Sequence, residues 1–270
     1  MSVTQIPELR IELGPAAEAV ERAGRRVAEL LRRRDDLGRR VTGLEWTIAE
    51  TAGHLAGRTG RFARFLTRSA SPTGTVADIA GENDADVRER AGRGMADHLD
   101  ELRTGVAAFV AGTRGKLGSD PMPWYSGVTI DVATATGLLL GELLVHGFDV
   151  ARTVRAPWPI SAADGRTIVR AAVSVAPLYV DPSAARGVST TFRIAVRGGP
   201  AFRIRFDDGT ATVEDGSGAA DVTIRVDPVA LVLVSYGRLS KWRAVATGKM
   251  IATGRRPWAG LAFDRYFVAP

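Results

Sequence analysis

The sequence predicts an α+β chain: an N-terminal four-helix bundle followed by a small α+β domain. Three observations point to it. Apolar residues recur at helical spacing through roughly the first 155 positions. Composition breaks at Arg155-Ala156-Pro157-Trp158-Pro159. Beyond Gly187 the apolar period switches from that of a helix to that of a strand. The predicted domains are therefore 1–156 and 157–270, in keeping with a chain longer than one core usually needs.

Pro15 suits a first helical turn, and Val20, Ala23, Val27, Leu30 and Leu31 follow on one face. Past Gly38, Thr47 and Glu50 have capping-box spacing and predict a second helix to about Thr67. Its inward side is Ile48, Leu55, Phe62 and Leu66, and Ser69 to Thr75 reads as a loop. A third helix is predicted from about Asp84 to Ala111, with Val87, Met95, Leu99, Leu102, Val106 and Phe109 inward. Gly118 to Gly127, with two prolines, forms a connection to a fourth helix from about Ile130 to Val154.

In the second domain, Ser161 and Asp164 cap a helix reaching about Tyr179. Strands follow around Phe192, Ile194 and Val196, then Phe202, Ile204 and Phe206. Asp207-Asp208-Gly209 is a turn into Thr210–Glu214, and Val222–Val226 is a further strand. Pro228 starts a helix through Val234, and Pro257 another through Phe267, against a mostly antiparallel sheet.

Composition narrows the chemistry. With no cysteine, the chain has no disulfide, zinc-thiolate cluster, iron–sulfur site or cysteine nucleophile. The net charge of +6 rests on 33 arginines and three lysines spread over both halves. The densest cluster, Arg32-Arg33-Arg34 with Arg39 and Arg40, is interrupted by Asp35 and Asp36 and has no interleaved aromatics. No nucleic-acid partner is expected. The longest apolar stretch, Val128 to Val150, carries Asp131, Glu142, His146 and Asp149, costly groups in lipid. It reads as a buried helix, no membrane partner is expected, and the start of the sequence shows no signal peptide, so the expected location is cytoplasmic. Nucleophile-elbow, Walker and dinucleotide-binding glycine patterns are all missing.

The three histidines are His54, His98 and His146. Glu142 and His146, four apart on a helix, lie one above the other, with Asp149 on the same stripe. Their neighbours are Leu138-Leu139-Leu140 and Leu143-Leu144-Val145. A lone ionised carboxylate there would cost several kcal/mol, which a bound cation removes. His54 is a third candidate ligand from the second helix, since bundle cores hold metals with side chains of facing helices. Two histidines and a carboxylate suit catalytic zinc and equally non-haem iron(II), with Asp149 placed to orient a ligating imidazole. The bland alternative, in which Glu142 and His146 bond each other or a buried water, is left open by spacing alone. His98, beside Asp97, Asp100 and Glu101, reads as a solvated-face residue.

Two runs carry a resemblance: Trp46 to Leu55, which contains His54, and Gly141 to Arg152, with Glu142, His146 and Asp149. They resemble the mycothiol-dependent maleylpyruvate isomerase family, which pairs a DinB-like metal-binding bundle with a sterol-carrier-protein-like domain. Ala219 to Pro228, Tyr236-Gly237-Arg238 and Thr247 to Gly254 look like the second part. The resemblance implies His54, Glu142 and His146 as ligands of Zn2+, with Fe2+ or another divalent ion suiting the same set. It further implies mycothiol as a thiol cosubstrate, a small anionic electrophile, and a transferase or isomerase reaction. Arg238 is the match to a substrate-binding arginine of the small domain. Arg58, one turn beyond His54, is within reach of an anionic thiol and otherwise reads as a solvated arginine. The competing reading is a non-catalytic protein that holds a lipid or small molecule in its second domain.

Overall fold

The computed structural model describes residues 6–268. Residues 11–160 form one compact unit, and residues 161–268 with the short segment 6–10 form another.

The first unit is built on α1 (Leu13–Arg32), α2 (Ile48–Thr67), α3 (Ile79–Glu89), α4 (Met95–Thr113) and α5 (Val132–Val154). Helices α1 and α2 each pack against both α4 and α5, which closes a four-helix bundle with α3 laid on α2. Close packing needs small residues at two crossings. A Cβ on Gly24 would lie 2.9 Å from a Val106 methyl, where α1 meets α4. One on Gly105 would lie 2.7 Å from the Gly60 nitrogen, where α4 meets α2. The predicted capping box starts α2: Thr47 Oγ1 accepts from Glu50 N at 3.2 Å, and Thr47 N donates to Glu50 Oε2 at 2.7 Å.

The predicted third helix over 84–111 is two helices. Gly92 takes a φ of +80° and Gly94 becomes the N-cap of α4, so the chain turns between α3 and α4. The 118–127 connection holds part of a hairpin of β1 (Pro121–Pro123) and β2 (Thr129–Asp131), each too short to show a period. Asp131 then caps α5 by accepting from Thr134 N. After α5, the Trp158 indole lies against Gly147 and donates to Leu144 O at 3.0 Å, while the Arg26 guanidinium stacks over it at 4.2 Å.

The second unit opens with α6 (Ala162–Val175), capped by Ser161, whose Oγ accepts from Asp164 N at 3.0 Å. Strands β3 (Ser189–Val196), β4 (Ala201–Asp207), β5 (Thr210–Asp215) and β6 (Val222–Val226) follow. Helices α7 (Pro228–Ser235) and α8 (Lys241–Ala246) and strand β7 (Met250–Gly254) complete the set. The sheet order is β5-β4-β3-β6-β7, with β3 and β6 parallel and the other neighbours antiparallel. Register puts Phe192 opposite Ile204 and Val222, and Ile194 opposite Phe202 and Ile224, on the buried face. Asp208 and Gly209, both at positive φ, make the turn that Asp-Asp-Gly predicted.

The predicted helix from Pro257 through Phe267 is replaced by two 3-10 turns, Pro257–Leu261 and Phe263–Tyr266. Gly260 presses on β7, a Cβ there lying 3.0 Å from that of Ala252, and Phe267 pairs with Val180. Phe263, Tyr266 and Phe267 all pack on Phe206, and this aromatic cluster outweighs the local helical pattern. Among the described residues, no helix is long and apolar enough to cross a membrane.

Candidate metal centre

Two helices supply the centre. α2 carries His54 and Arg58 four residues apart, and α5 carries Glu142, His146 and Asp149 on one stripe. Bundle packing brings the two stripes together. His54 Nε2 lies 3.4 Å from Glu142 Oε2, and His146 Nε2 lies 3.6 Å from the same oxygen. One donor atom from each of the three residues falls within 4.8 Å of the others, and among the described residues this is the cluster with that property.

Burial is graded across the centre. His54 is fully buried, whereas the side chains of His146 and Glu142, both on α5, keep 12% and 17% exposure. Behind His146, Asp149 Oδ2 stands 3.6 Å from Nδ1, and Asp149 is itself fully buried. Nδ1 of both imidazoles is buried without a hydrogen bond among the described residues, and that of His146 has the Asp149 carboxylate just beyond hydrogen-bond range. The Trp46 ring lies 4.7 Å from that of His54 and 6.1 Å from that of His146, centroid to centroid. Its Nε1–H donates to Asp84 Oδ1 of α3 at 3.3 Å.

Arg58 is buried rather than solvated, which removes the bland reading of that residue. Its Nη2 donates to Glu142 Oε1 at 2.9 Å and leaves Oε2 toward the histidines. Farther along α2, Arg61 pairs with Glu82 and Asp86 of α3, while Arg90 at the C-cap of α3 pairs with Glu101 of α4.

The electrostatics suit deprotonated donors. Burial pushes the Glu142 pKa up, but the Arg58 guanidinium and hydrogen bonds to both imidazoles outweigh it and hold the carboxyl well below its usual range. Burial pushes His54 down to about 4, so it is neutral near pH 7. Burial also acts downward on His146, yet Asp149 and Glu142 raise it overall.

These residues fit a divalent ion. Ligand bonds near 2.1 Å at tetrahedral angles put donor atoms about 3.4 Å apart. The separations of Glu142 Oε2 from the two Nε2 atoms are of that size. Three protein donors, one fewer than a structural site uses, is the pattern of a catalytic site.

His98 does not lie on a solvated face. It is 3% exposed and packs against Gly53 of α2, and burial lowers its pKa. Its acidic neighbours Asp97 and Asp100 point to solvent from other sides of α4, which is why sequence proximity misplaced it. Arg238 follows α7 in the second unit, where its guanidinium donates to the Tyr236 carbonyl. Sequence reasoning missed the stacking of Trp46 and its bond to Asp84. The one available signal was the position of Trp46 immediately before the Thr47 cap, which carries it toward the first turn holding His54.

A family model described as the mycothiol maleylpyruvate isomerase N-terminal domain matches residues 17–151. One described as the SCP-2 sterol transfer family matches residues 179–255. A crystal structure of a mycothiol-dependent maleylpyruvate isomerase aligns with a TM-score of 0.55 at 13% identity, over 90% of this chain and 93% of that one. A histidine-to-alanine mutant of a mycothiol-dependent maleylpyruvate isomerase aligns with the same TM-score and coverage at 12% identity. At such identity these structures show a shared fold. No curated protein matches the chain in sequence. With the first model spanning half of its length and the second matching most of the remainder, the chain belongs to the mycothiol-dependent maleylpyruvate isomerase family.

Proposed function

We propose that the protein is a metal-dependent enzyme that activates an external low-molecular-weight thiol, mycothiol, for attack on a small anionic electrophile. The observation that carries this reading is the convergence of one donor atom each from His54, Glu142 and His146 within 4.8 Å on two packed helices. A divalent ion, Zn2+ in this proposal, supplies Lewis acidity that lowers a thiol pKa from about 8.5 and yields thiolate at neutral pH.

The chain's own residues set the conditions. His54 and Glu142 are deprotonated near pH 7, so two of the three donors need lose no proton there. Asp149 orients the His146 ring from behind. The sulfur must come from outside, because the chain has no cysteine. The thiol proton goes to solvent, and the sulfur bonds to a carbon of the electrophile's activated double bond as the π pair moves onto the conjugated carbonyl. Protonation of that enolate from solvent gives the transfer product, whereas rotation about the new single bond and expulsion of the thiolate re-form the double bond as the isomer. Arg238 is the proposed anchor for a substrate carboxylate, by its place in Tyr236-Gly237-Arg238.

The test is elemental analysis of protein purified without chelator, repeated on His146→Ala. About one equivalent of zinc in the wild type, lost in the variant, supports the reading; a metal-free wild type overturns it. Mass spectrometry of the loaded protein with a low-molecular-weight thiol and test electrophiles then reads the chemistry. The match of residues 179–255 to the SCP-2 sterol transfer family favours a second reading, an apolar ligand held by the second unit. Co-purifying lipid in a metal-free protein would select it.

A further inference from the structure

A buried guanidinium costs several kcal/mol unless a carboxylate meets it, so its partner identifies what it is there to hold. Arg58 is 3% exposed, sits one turn from His54 on α2, and donates from Nη2 to Glu142 Oε1 at 2.9 Å. With Oε1 engaged, Oε2 is the oxygen turned to both imidazoles, 3.4 and 3.6 Å away. Glu142 is thereby prepared to donate through one oxygen rather than two.

The second consequence concerns charge. Both imidazoles are neutral as donors. Glu142 and the buried Asp149 behind His146 together match the charge of a divalent ion. The Arg58 guanidinium, always protonated, adds one positive charge to that balanced set. Arg61 and Arg90 are engaged by Glu82, Asp86 and Glu101, and Asp86, packed beside Gly57, also feels the Arg58 charge, whereas the hydrogen bond from Arg58 Nη2 goes to Glu142.

We infer that Arg58 is a positioning residue that holds Glu142 to one-oxygen coordination and places a positive charge beside the loaded centre, so that its open position favours an anionic ligand such as a thiolate over a neutral one more than it would without Arg58. The inference rests on the metal reading of the centre.

Wild type, Arg58→Gln and Arg58→Lys are loaded with Co2+, and the visible bands are followed as azide, an anion, and imidazole, a neutral donor, are titrated separately. The quantity read is the ratio of azide affinity to imidazole affinity. A unit charge acting over several ångströms at intermediate dielectric predicts a fall in that ratio of about tenfold to a hundredfold in Arg58→Gln. Lysine keeps the charge and is expected to stay within about threefold of wild type. A purely structural role would lower both affinities together; an unmoved ratio in Arg58→Gln therefore overturns the inference. If the glutamine variant does not fold, Arg58→Lys decides: a ratio that falls about tenfold or more while the charge remains overturns it too. A wild type that takes up no cobalt overturns the metal reading itself, an outcome distinct from a loaded protein with an unmoved ratio.

Discussion

The Trp158 indole rests directly on Gly147, the residue after His146, and anchors itself there by donating to Leu144 O at 3.0 Å. A side chain on residue 147 would occupy the ring's own space. Gly147→Ala is expected to destabilise the first unit by about 1–3 kcal/mol through overpacking. Urea unfolding followed by circular dichroism measures it, and a loss under about 0.5 kcal/mol would show that the strap yields freely.

The ion pair of Arg58 with Glu142 makes a second prediction. Glu142→Ala strands a buried guanidinium and is expected to lower stability of the metal-free protein by about 3 kcal/mol. The double variant Glu142→Ala with Arg58→Met removes both charges and should recover most of that loss. A double-mutant cycle in urea checks the coupling; additive losses would contradict it.

His54 sets a pH dependence whose sign is fixed. Burial depresses its folded pKa to about 4 from an ordinary value near 6.5. The unfolded chain therefore binds the proton first, and the contribution is intact above pH 6.5 and lost as pH falls toward 4. The loss approaches about 3 kcal/mol in metal-free protein. His146, raised overall, works the other way: its contribution is present below pH 6.5 and lost as pH rises through its folded value. His54→Leu isolates the first effect. Between pH 7.5 and 4.5, wild type should lose about 2–3 kcal/mol more than this variant in urea titrations. Equal losses would rule the effect out.

Trp46 lies within 4.7 Å of the His54 ring and is one of five tryptophans in the chain. Loading the centre with Co2+, which quenches nearby indoles, should dim a single tryptophan and remove about a fifth of the emission if all contribute alike. Trp46→Phe should abolish that response while leaving metal stoichiometry unchanged. A response that survives the substitution would place the metal elsewhere.

Much of the fold was legible because local physics decided it. Thr47 and Glu50 announce the start of α2 three residues apart, and Asp207-Asp208-Gly209 announces its turn through residues that tolerate positive φ. The division of α3 from α4 was harder to read, because apolar spacing from Val87 to Phe109 continues across the glycines that break the backbone. The aromatic end of the chain misled for the opposite reason. Phe263 and Phe267 have helical spacing, but their packing on β-sheet residues governs the backbone.

The sequence by itself determined the pairing of Glu142 with His146, since a helix repeats about every four residues, and it determined that the chain carries no thiol of its own. Only the tertiary structure decided which residues complete the centre. His54 reaches Glu142 across 88 positions of chain, through the packing of α2 on α5. The same packing buries Arg58 against the carboxylate, and the packing of α4 on α2 tucks His98 behind Gly53, although both read as surface residues in their local context. Burial is a property of what lies opposite a helix face, and charge pairing follows from burial. Neither can be read from one helix alone.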